Sequence, residues 1–249
     1  MAGRRVLGLA VILGLFALAG VRLHSFATVT HPAADETTYS TLLKAAGDVG
    51  DASVVAQAAV PQVAVFASAG DATPSKTLSN PNAEGAPLVF LAVATQGGDW
   101  VEVLLPVRPN GTTGWVRRSD VHLVADPYRV EIDLGHHRIT VWKGSDVFRR
   151  EPVGVGARST GTPHGLYFIT ELLQPPDAAG FYGPYAFGIS GYSDVLKTYE
   201  GGDGQIGIHG TDDPSSFGKD VSHGCIRMSN DGITALALAV PLGTPVLIR

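Results

Sequence analysis

Two side chains in the C-terminal part of the chain have the chemistry of a nucleophile and its base. The only cysteine is Cys225, and His209 precedes it by sixteen positions. A thiol attacks as thiolate and needs a proton acceptor, so a cysteine with a histidine nearby is a candidate catalytic pair. The separation exceeds one helix turn, and a loop must therefore fold the two residues together.

The residue before the cysteine favours acyl transfer. Gly224 directly precedes Cys225, and a glycine lets the backbone approach a substrate carbonyl closely. Amides of such a tight turn can form an oxyanion hole. An imidazolium at His209 would hold the pKa of the thiol below its ordinary value of about 8.5. A buried, inert cysteine is the plain alternative.

A zinc site is a second interpretation of the same residues. Imidazole and thiolate both bind zinc, and His209, His223 and Cys225 supply three such ligands. No Cys-x-x-Cys or His-Glu-x-x-His pair accompanies them. The nucleophile is therefore the preferred interpretation, with no metal and no organic cofactor.

The motif around the cysteine resembles the signature of the YkuD-type L,D-transpeptidases. The matching residues are His209-Gly210, Ser222-His223-Gly224-Cys225-Ile226-Arg227 and Asn230. The resemblance covers about residues 128–249. It implies that Cys225 is the acyl-accepting nucleophile and His209 its general base. It also implies that the oxyanion site is shaped by Ser222, His223 and Gly224.

The resemblance implies an activity and leaves the acyl acceptor open. Enzymes of this family form a cysteine thioester with a peptidoglycan stem peptide and pass the acyl group to an amine of a neighbouring stem. Water as the acceptor would make the protein an L,D-carboxypeptidase, and a protein amine would attach that protein to the wall. A non-catalytic wall-binding scaffold is the remaining alternative, which the intact His209 and Cys225 disfavour.

The predicted substrate-binding residues are Gly210, Arg227, Tyr182 and Tyr185. Arg227 could hold a substrate carboxylate in a bidentate fork or pair with a carboxylate of the protein such as Asp220 or Asp231, and the sequence favours the pairing. The aromatic-rich segment 174–200 lacks periodicity and is predicted to be a long loop. Its rings either line a substrate channel or pack against one another as a small satellite core.

Periodicity predicts a mainly β fold for the catalytic domain, residues 126–249. Val130 and Ile132 alternate with charged neighbours, which is typical of a half-buried strand. Ser229 is a plausible N-cap for a short helix over Ile233–Val240. Further strands are predicted over residues 138–143, 147–155, 166–173 and 245–249. The family resemblance implies that they form a mixed β-sandwich with the cysteine in a cleft.

Residues 60–125 predict a second, smaller β domain. Strands are expected over 62–67, 88–95 and 100–105, the last two joined by the hairpin signal Gln96-Gly97-Gly98-Asp99. Gly98-Asp99-Trp100-Val101 and Gly114-Trp115-Val116 resemble bacterial SH3-like domains, which are small barrels. Trp100 and Trp115 could line a peptide groove, although filling the barrel core is the favoured interpretation.

The N-terminal residues predict an exported protein. Arg4-Arg5 precede an apolar run over 6–21, so residues 1–27 are predicted to be a signal peptide or a membrane anchor. Residues 28–59 are predicted to be a flexible spacer. The net charge of −5 disfavours a nucleic-acid partner. We expect the protein in the periplasm or cell wall, with membrane contact only through the N-terminal segment.

Overall fold

Strands dominate residues 52–199 and 201–249, the part of the chain that this computed structural model describes. The mainly β fold predicted from the sequence is confirmed. The strands of the N-terminal unit (residues 53–126) are β1 (Ser53–Ala58), β2 (Gln62–Val65), β3 (Lys76–Ser79), β4 (Val89–Gln96), β5 (Trp100–Leu104), β6 (Thr113–Arg117) and β7 (Val121–Asp126). The strands of the C-terminal unit (residues 127–249) are β8 (Tyr128–Asp133), β9 (Arg138–Lys143), β10 (Asp146–Pro152), β11 (Val155–Gly156), β12 (Gly165–Leu173), β13 (Ala186–Tyr192), β14 (Gln205–His209), β15 (Asp220–Ser222), β16 (Ile226–Arg227) and β17 (Pro245–Ile248).

The N-terminal unit contains a five-stranded antiparallel sheet in the order β6-β5-β4-β1-β7. The predicted β4–β5 hairpin is confirmed, and Gly97 and Gly98 in its turn have φ values of 63° and 76°. The β2–β3 hairpin joins this sheet through a bridge between Phe66 and Trp115. Trp100 is buried edge-on against Phe66, with ring centroids 5.0 Å apart, and so belongs to the core. The SH3-like identity of this unit stays a prediction.

The predicted spacer over residues 28–59 is wrong at its C-terminal end. Residues 53–58 form β1, which pairs with β4 on one side and β7 on the other. Val54 and Val55 are both buried, on opposite faces of the strand. A short β-branched run makes a central strand once both neighbouring strands are present to pair with it.

The predicted signal peptide or anchor, residues 1–27, lies outside the described residues, as does most of the spacer. Within residues 52–199 and 201–249, no helix has the length and apolarity needed to cross a membrane.

The C-terminal unit is built on an eight-stranded sheet in the order β10-β9-β8-β17-β12-β13-β14-β16. Its mixed character comes from β17, which is parallel to β8 and antiparallel to β12, and from the parallel pair β14–β16. The alternation predicted for β8 is confirmed, because Val130 and Ile132 are buried and their charged neighbours are only partly buried. The same core includes Tyr167, Phe187 and Ile208.

One helix, α1 (Asn230–Ala239), follows β16 and confirms the predicted helix. The Ser229 Oγ accepts a hydrogen bond from the Gly232 amide at 3.0 Å, as an N-cap should. Ile233 and Leu236 bury one side of α1 in the core of the C-terminal unit. Two single 3₁₀ turns, Arg118–Asp120 and Pro214–Ser216, complete the regular structure of the described residues.

The segment predicted as a long loop, 174–200, contains a central strand of the sheet. β13 occupies Ala186–Tyr192 and pairs with both β12 and β14. The glycines of β13 interrupt the alternation of apolar and polar side chains that marks a strand. Large side chains of the adjacent strand β12 occupy the space that a side chain at these positions would need. A side-chain carbon on Gly188 would clash with Glu171, and one on Gly191 would meet the Tyr167 ring.

The two units share an apolar interface. Phe168 of β12 is fully buried against Val55, Leu91 and Leu104 of the five-stranded sheet. A second contact is polar, since the Thr244 hydroxyl donates to the Asp126 carboxylate at 2.5 Å. The N-terminal unit is therefore packed against the sheet that carries the predicted catalytic residues.

Candidate active site

β14 and β16 bring the predicted nucleophile and base together. The two strands are parallel neighbours, with His209 opposite Arg227. Cys225 directly precedes β16, two positions before Arg227, and strand alternation places it at a position equivalent to that of Arg227. The Gly207 amide on β14 lies 3.4 Å from the Cys225 Sγ. Cys225 and His209 both line one cavity of about 980 Å³.

His209 is a buried, oriented imidazole. It is 2% exposed, and its Nδ1 lies 2.6 Å from the Gly210 carbonyl oxygen. Because a carbonyl oxygen only accepts, Nδ1 carries the proton in this hydrogen bond and Nε2 is left as the basic nitrogen. The backbone of the next residue thus sets the tautomer of the candidate base.

The surroundings of His209 favour its neutral form. Burial lowers the pKa of His209 to about 4; the hydrogen bond to Gly210 opposes this shift, and the positive charge of Arg227 adds to it. The lowered pKa of His209 favours the neutral imidazole over the imidazolium considered from the sequence. A neutral imidazole is the form that can accept the proton of a thiol.

An aromatic pair covers His209. Phe181 and Tyr182 lie in the segment between β12 and β13, with ring centroids 5.7 Å and 4.9 Å from the imidazole. The two rings also meet each other edge to face at 4.9 Å. Tyr182 lines the cavity, so the channel-lining interpretation applies to this ring. The two rings are among the groups that bury His209, and burial lowers its pKa.

Arg227 lies behind this aromatic pair. Its guanidinium carbon is 4.5 Å from the Phe181 ring centroid, its side chain is 9% exposed, and its Nε has no hydrogen-bond partner. Arg227 is not among the cavity-lining residues. Neither Asp220, which binds His137, nor Asp231 forms an ion pair with Arg227, and the carboxylate whose pKa its charge helps to lower is that of Asp213. The structure places Arg227 where its charge acts on His209.

Hydrogen bonds shape the turn that presents the cysteine. The Ser222 hydroxyl donates to the Cys225 carbonyl at 2.6 Å and accepts from the Gly224 amide at 3.1 Å. The Thr162 hydroxyl donates to the Gly224 carbonyl at 2.7 Å. Gly224 has φ of 124°, and a side-chain carbon there would lie 2.8 Å from Ile206. Ser222 and Gly224 therefore shape the turn, and the Gly224 amide is occupied by Ser222.

His223 lies at the surface beside Tyr199. It is exposed and stacks on Tyr199, with ring centroids 4.8 Å apart and planes inclined by 30°. Its Nδ1 lies 3.3 Å from the Tyr199 hydroxyl. Tyr199 lines the cavity, whereas His223 does not. The third ligand of the zinc alternative is thus directed to a tyrosine, and no three His, Cys, Asp or Glu side chains of residues 52–199 and 201–249 are grouped to hold a metal ion.

Two further predicted substrate-binding residues have structural contacts instead. Tyr185 packs against the core of the C-terminal unit, and its carbonyl accepts from the Gly210 amide at 3.3 Å. The Gly210 carbonyl orients His209, and neither Tyr185 nor Gly210 lines the cavity. Close approach explains the glycine, since a side-chain carbon on Gly210 would clash with Asn230. The side-chain Oδ1 of Asn230 in turn accepts from the Thr211 amide at 2.8 Å.

The N-terminal unit supplies one wall of the cavity. Leu78, Asn82, Leu88 and Pro106 line it opposite β12 and β13. Asn82 donates to Glu171 at 3.1 Å, and Gln205 donates to the same carboxylate at 2.8 Å. Burial raises the pKa of Glu171, whose side chain is 3% exposed. Local sequence patterns do not reveal this wall or the supporting contacts of Thr162 and Tyr199. Asn82 and Thr162 have partners 89 and 62 positions away, and Tyr199 lies in an aperiodic segment.

Comparisons with known proteins cover the C-terminal unit. A family model described as the YkuD L,D-transpeptidase catalytic domain matches residues 127–248. "Putative L,D-transpeptidase YqjB" of Bacillus subtilis is 56% identical over 129 residues, which are 51% of this chain and 73% of that protein. "Putative L,D-transpeptidase YkuD" of the same organism is 36% identical over 123 residues, 49% of this chain and 66% of that protein.

Solved structures are also similar in this region. Bdellovibrio bacteriovorus Bd1075 is 26% identical with a TM-score of 0.40, covering 50% of this chain and 48% of that chain. The catalytic domain of the Enterococcus faecium L,D-transpeptidase is 24% identical with a TM-score of 0.36, covering 49% of this chain and 96% of that chain. The chain spans just under two thirds of YkuD and about half of Bd1075.

Proposed function

The chain belongs to the YkuD family of L,D-transpeptidases, and from this premise we propose that it is a peptidoglycan transpeptidase that uses a thioester on Cys225. The family acts on the stem peptides of peptidoglycan. The carrying observation is that Cys225, directly before β16, and His209, at the end of β14, line one cavity. The hydrogen bond from His209 Nδ1 to the Gly210 carbonyl supports the assignment of His209 Nε2 as the base.

In the proposed acylation, His209 Nε2 takes the proton of the Cys225 thiol as Sγ attacks an amide carbonyl of the donor stem. The tetrahedral oxyanion is stabilised by backbone amides of the cysteine turn other than that of Gly224, which donates to Ser222, with a contribution of roughly 3–4 kcal/mol for each well-placed donor. The C–N bond to the terminal D-amino acid then breaks, and the proton on His209 passes to the leaving amine. The product of this half-reaction is a thioester on Cys225.

In the proposed deacylation, the amine of an acceptor stem attacks the thioester carbonyl and loses a proton to His209. The C–S bond breaks, and the thiolate recovers that proton. A neutral resting imidazole supports both halves, because His209 begins each half as a proton acceptor. Tyr182, which lines the cavity beside His209, is the proposed contact for the donor peptide.

We place this reaction outside the cytoplasmic membrane, where the family typically acts. The apolar run over 6–21 behind Arg4-Arg5 supports export, with residues 1–27 as a signal peptide or anchor. The N-terminal unit is proposed to be an SH3-like domain spanning residues 60–125, extended by the β1 strand. The catalytic domain is proposed to span 126–249.

The test is a mass measurement on the purified full chain incubated with a synthetic tetrapeptide stem. We expect the protein to gain the mass of the donor minus its terminal D-alanine. Cys225→Ser is the matched control, because it replaces one atom and removes the only thiol. Addition of an acceptor stem should convert the adduct into a cross-linked dimer.

The products separate the alternatives. Release of tripeptide without any dimer would make the protein an L,D-carboxypeptidase, and transfer to a protein amine would make it an attachment enzyme. A protein that never gains mass, or a Cys225→Ser variant that still yields dimer, would contradict the proposed mechanism. A thiol that resists iodoacetamide until chelator is added would point to the zinc site instead.

A further inference from the structure

One turn of the N-terminal unit reaches across to the C-terminal unit. It joins β5 to β6 and contains Arg108 and Asn110. The Arg108 guanidinium donates to three backbone carbonyls, those of Ser193 at 2.7 Å, Leu196 at 3.1 Å and Asp203 at 2.8 Å. All three carbonyls belong to the β13–β14 connection, which is defined here as residues 193–199 and 201–204.

Neighbouring contacts fix the base of the same connection. The Asn110 side chain donates to the Tyr192 carbonyl at 2.7 Å and accepts from the Tyr192 amide at 2.9 Å, as a paired strand residue would. The Tyr192 hydroxyl donates to the Pro106 carbonyl at 3.0 Å. The Tyr192 ring also lies 4.8 Å from the Arg108 guanidinium carbon. The turn therefore holds both the start of the connection and its interior.

The β13–β14 connection carries the residue that reaches the nucleophile turn. Tyr199 stacks on His223, and Tyr199, Gly202 and Asp203 line the cavity with Cys225. His223 is two residues from the cysteine. A continuous set of contacts thus runs from Arg108 through the connection to Tyr199, then to His223 and the turn that presents the thiol.

The chemistry of Arg108 suits this purpose. A planar guanidinium offers five donors in a fixed fork, so one side chain can hold several carbonyls in one arrangement. Hydrogen bonds from a charged donor are about twice as strong as neutral ones. A lysine ammonium on a flexible stem cannot reproduce the fork. The three carbonyls lie 85 to 95 positions from Arg108 along the chain, so the contact exists only when the two units are packed together.

We propose that Arg108 is a positioning residue of the active site, through which the N-terminal unit holds the β13–β14 connection and the Tyr199–His223 stack beside Cys225. Only the expected effect on the rate of Cys225 acylation rests on the proposed function, and the positioning role itself does not. The N-terminal unit is then a working part of the catalytic cleft and contributes more than attachment to the wall. Misplacing groups around a reacting centre by about 1 Å can cost up to about 100-fold in rate.

The experiment compares full-length Arg108→Ala with Arg117→Ala. Arg117 is the matched control, because it also lies on the N-terminal unit with its guanidinium 4.4 Å from the Trp100 ring centroid, away from the connection. The first readout is the NMR signal of the His223 imidazole, identified by its loss in His223→Gln. Tyr199→Leu defines the shift of that signal without the stacked ring.

The expected result is specific to one of the two histidines. Arg108→Ala should move the His223 signal most of the way to its position in Tyr199→Leu, while the His209 signal stays in place. Arg117→Ala should move neither signal. Arg108→Lys should give an intermediate shift, and this variant decides the question if Arg108→Ala does not fold.

The second readout is the rate of Cys225 acylation by the donor stem. It should fall by about tenfold or more in Arg108→Ala and in Tyr199→Leu, with no further loss in the double variant, because both changes break one chain of contacts. A wild-type protein that is not acylated would defeat the proposed function, and the NMR comparison would still decide the positioning role. An unmoved His223 signal in both Arg108 variants, or fully additive rate losses, would overturn the inference.

Discussion

The two histidines beside Cys225 occupy contrasting surroundings. His209 is 2% exposed, lies under Phe181 and Tyr182, and has its pKa lowered to about 4. His223 is exposed and has a single stacked tyrosine as its neighbour on the β13–β14 connection. One ring is desolvated and oriented by the backbone, whereas the other is exposed to solvent and stacked on a residue of a surface connection.

The two histidines also differ in which unit of the protein supplies their contacts. The contacts of His209 come from β14, from the adjoining aromatic pair and from Arg227, all within the C-terminal unit. The stack of His223 depends on a connection that Arg108 of the N-terminal unit holds. The proton chemistry is thus set by the family domain, and the shape of the cleft on the His223 side is set by the unit packed against it.

The largest effect should come from removing the base. His209→Gln should lower the acylation rate by roughly 10²–10⁴-fold, the usual contribution of a positioned general base. His223→Gln is the comparison variant, and we expect a loss near tenfold because only a positioning contact is removed. Single-turnover mass measurements on both variants give the two rates. Equal losses would mean that the two histidines do not have distinct roles.

The interface between the units should be strongly stabilising. Phe168→Ala removes a fully buried ring from between the sheets and should cost about 3–5 kcal/mol in the free energy of unfolding. The control is Leu166→Ala on the same strand, where the side chain is 43% exposed and the cost should stay within about 0.5 kcal/mol. Denaturant titrations measure both.

This interface also bears on whether residues 126–249 can fold alone. A chain lacking the N-terminal unit would expose Phe168 and lose every contact of Arg108 with the β13–β14 connection. We expect such a chain to unfold at lower temperature than the full chain and to be acylated more slowly. Unchanged stability would show that the shared apolar cluster contributes little.

The pH profile of acylation should report the neutral base. Because the pKa of His209 is lowered to about 4, kcat/KM for acylation should not fall as the pH drops through 6.5. It should fall only as the pH approaches 4, where His209 becomes protonated. Arg227→Gln removes a nearby positive charge and should move this acid limb to higher pH. A limb near 6.5 in the unsubstituted protein would show that His209 is solvated during the reaction.

Asp126 and His209 should affect the pH dependence of stability in opposite directions. Burial raises the pKa of Asp126 from 3.8 to about 6, so its contribution to stability is present below pH 3.8 and is lost as the pH rises through 6. His209, with its pKa lowered from 6.5 to about 4, destabilises the fold as the pH falls through that range.

Asp126→Asn should therefore stabilise the protein at neutral pH by on the order of 1–3 kcal/mol. It should also reduce the change in the free energy of unfolding between pH 3.8 and 6. Asp146→Asn, at an exposed position at the start of β10, is the control and should leave both unchanged. Thermal unfolding at pH 4, 5, 6 and 7 measures the difference. A less stable Asp126→Asn variant at pH 7 would show that the carboxylate is needed in its charged form by Thr244.

The amino-acid sequence by itself determined the features that a few neighbouring residues encode. The alternation at Val130 and Ile132, the glycine turn before Trp100 and the cap at Ser229 each depend on local backbone preferences, and each is found in the structure. The pairing of a lone thiol with an upstream histidine is likewise a property of residue type, and the fold brings both to one cavity.

Only the tertiary structure decided the state and support of that site. The neutral form of His209 comes from its burial in the folded chain, and the place of Arg227 behind Phe181 could not follow from its position in the motif. The strand within 174–200 is marked by glycines whose missing side chains matter only beside Glu171 and Tyr167. The contacts of Arg108 and Asn82 span more than 80 positions. Desolvation and long-range hydrogen bonds depend on which surfaces come into contact when the sheets pack. Residues adjacent in sequence do not specify those contacts.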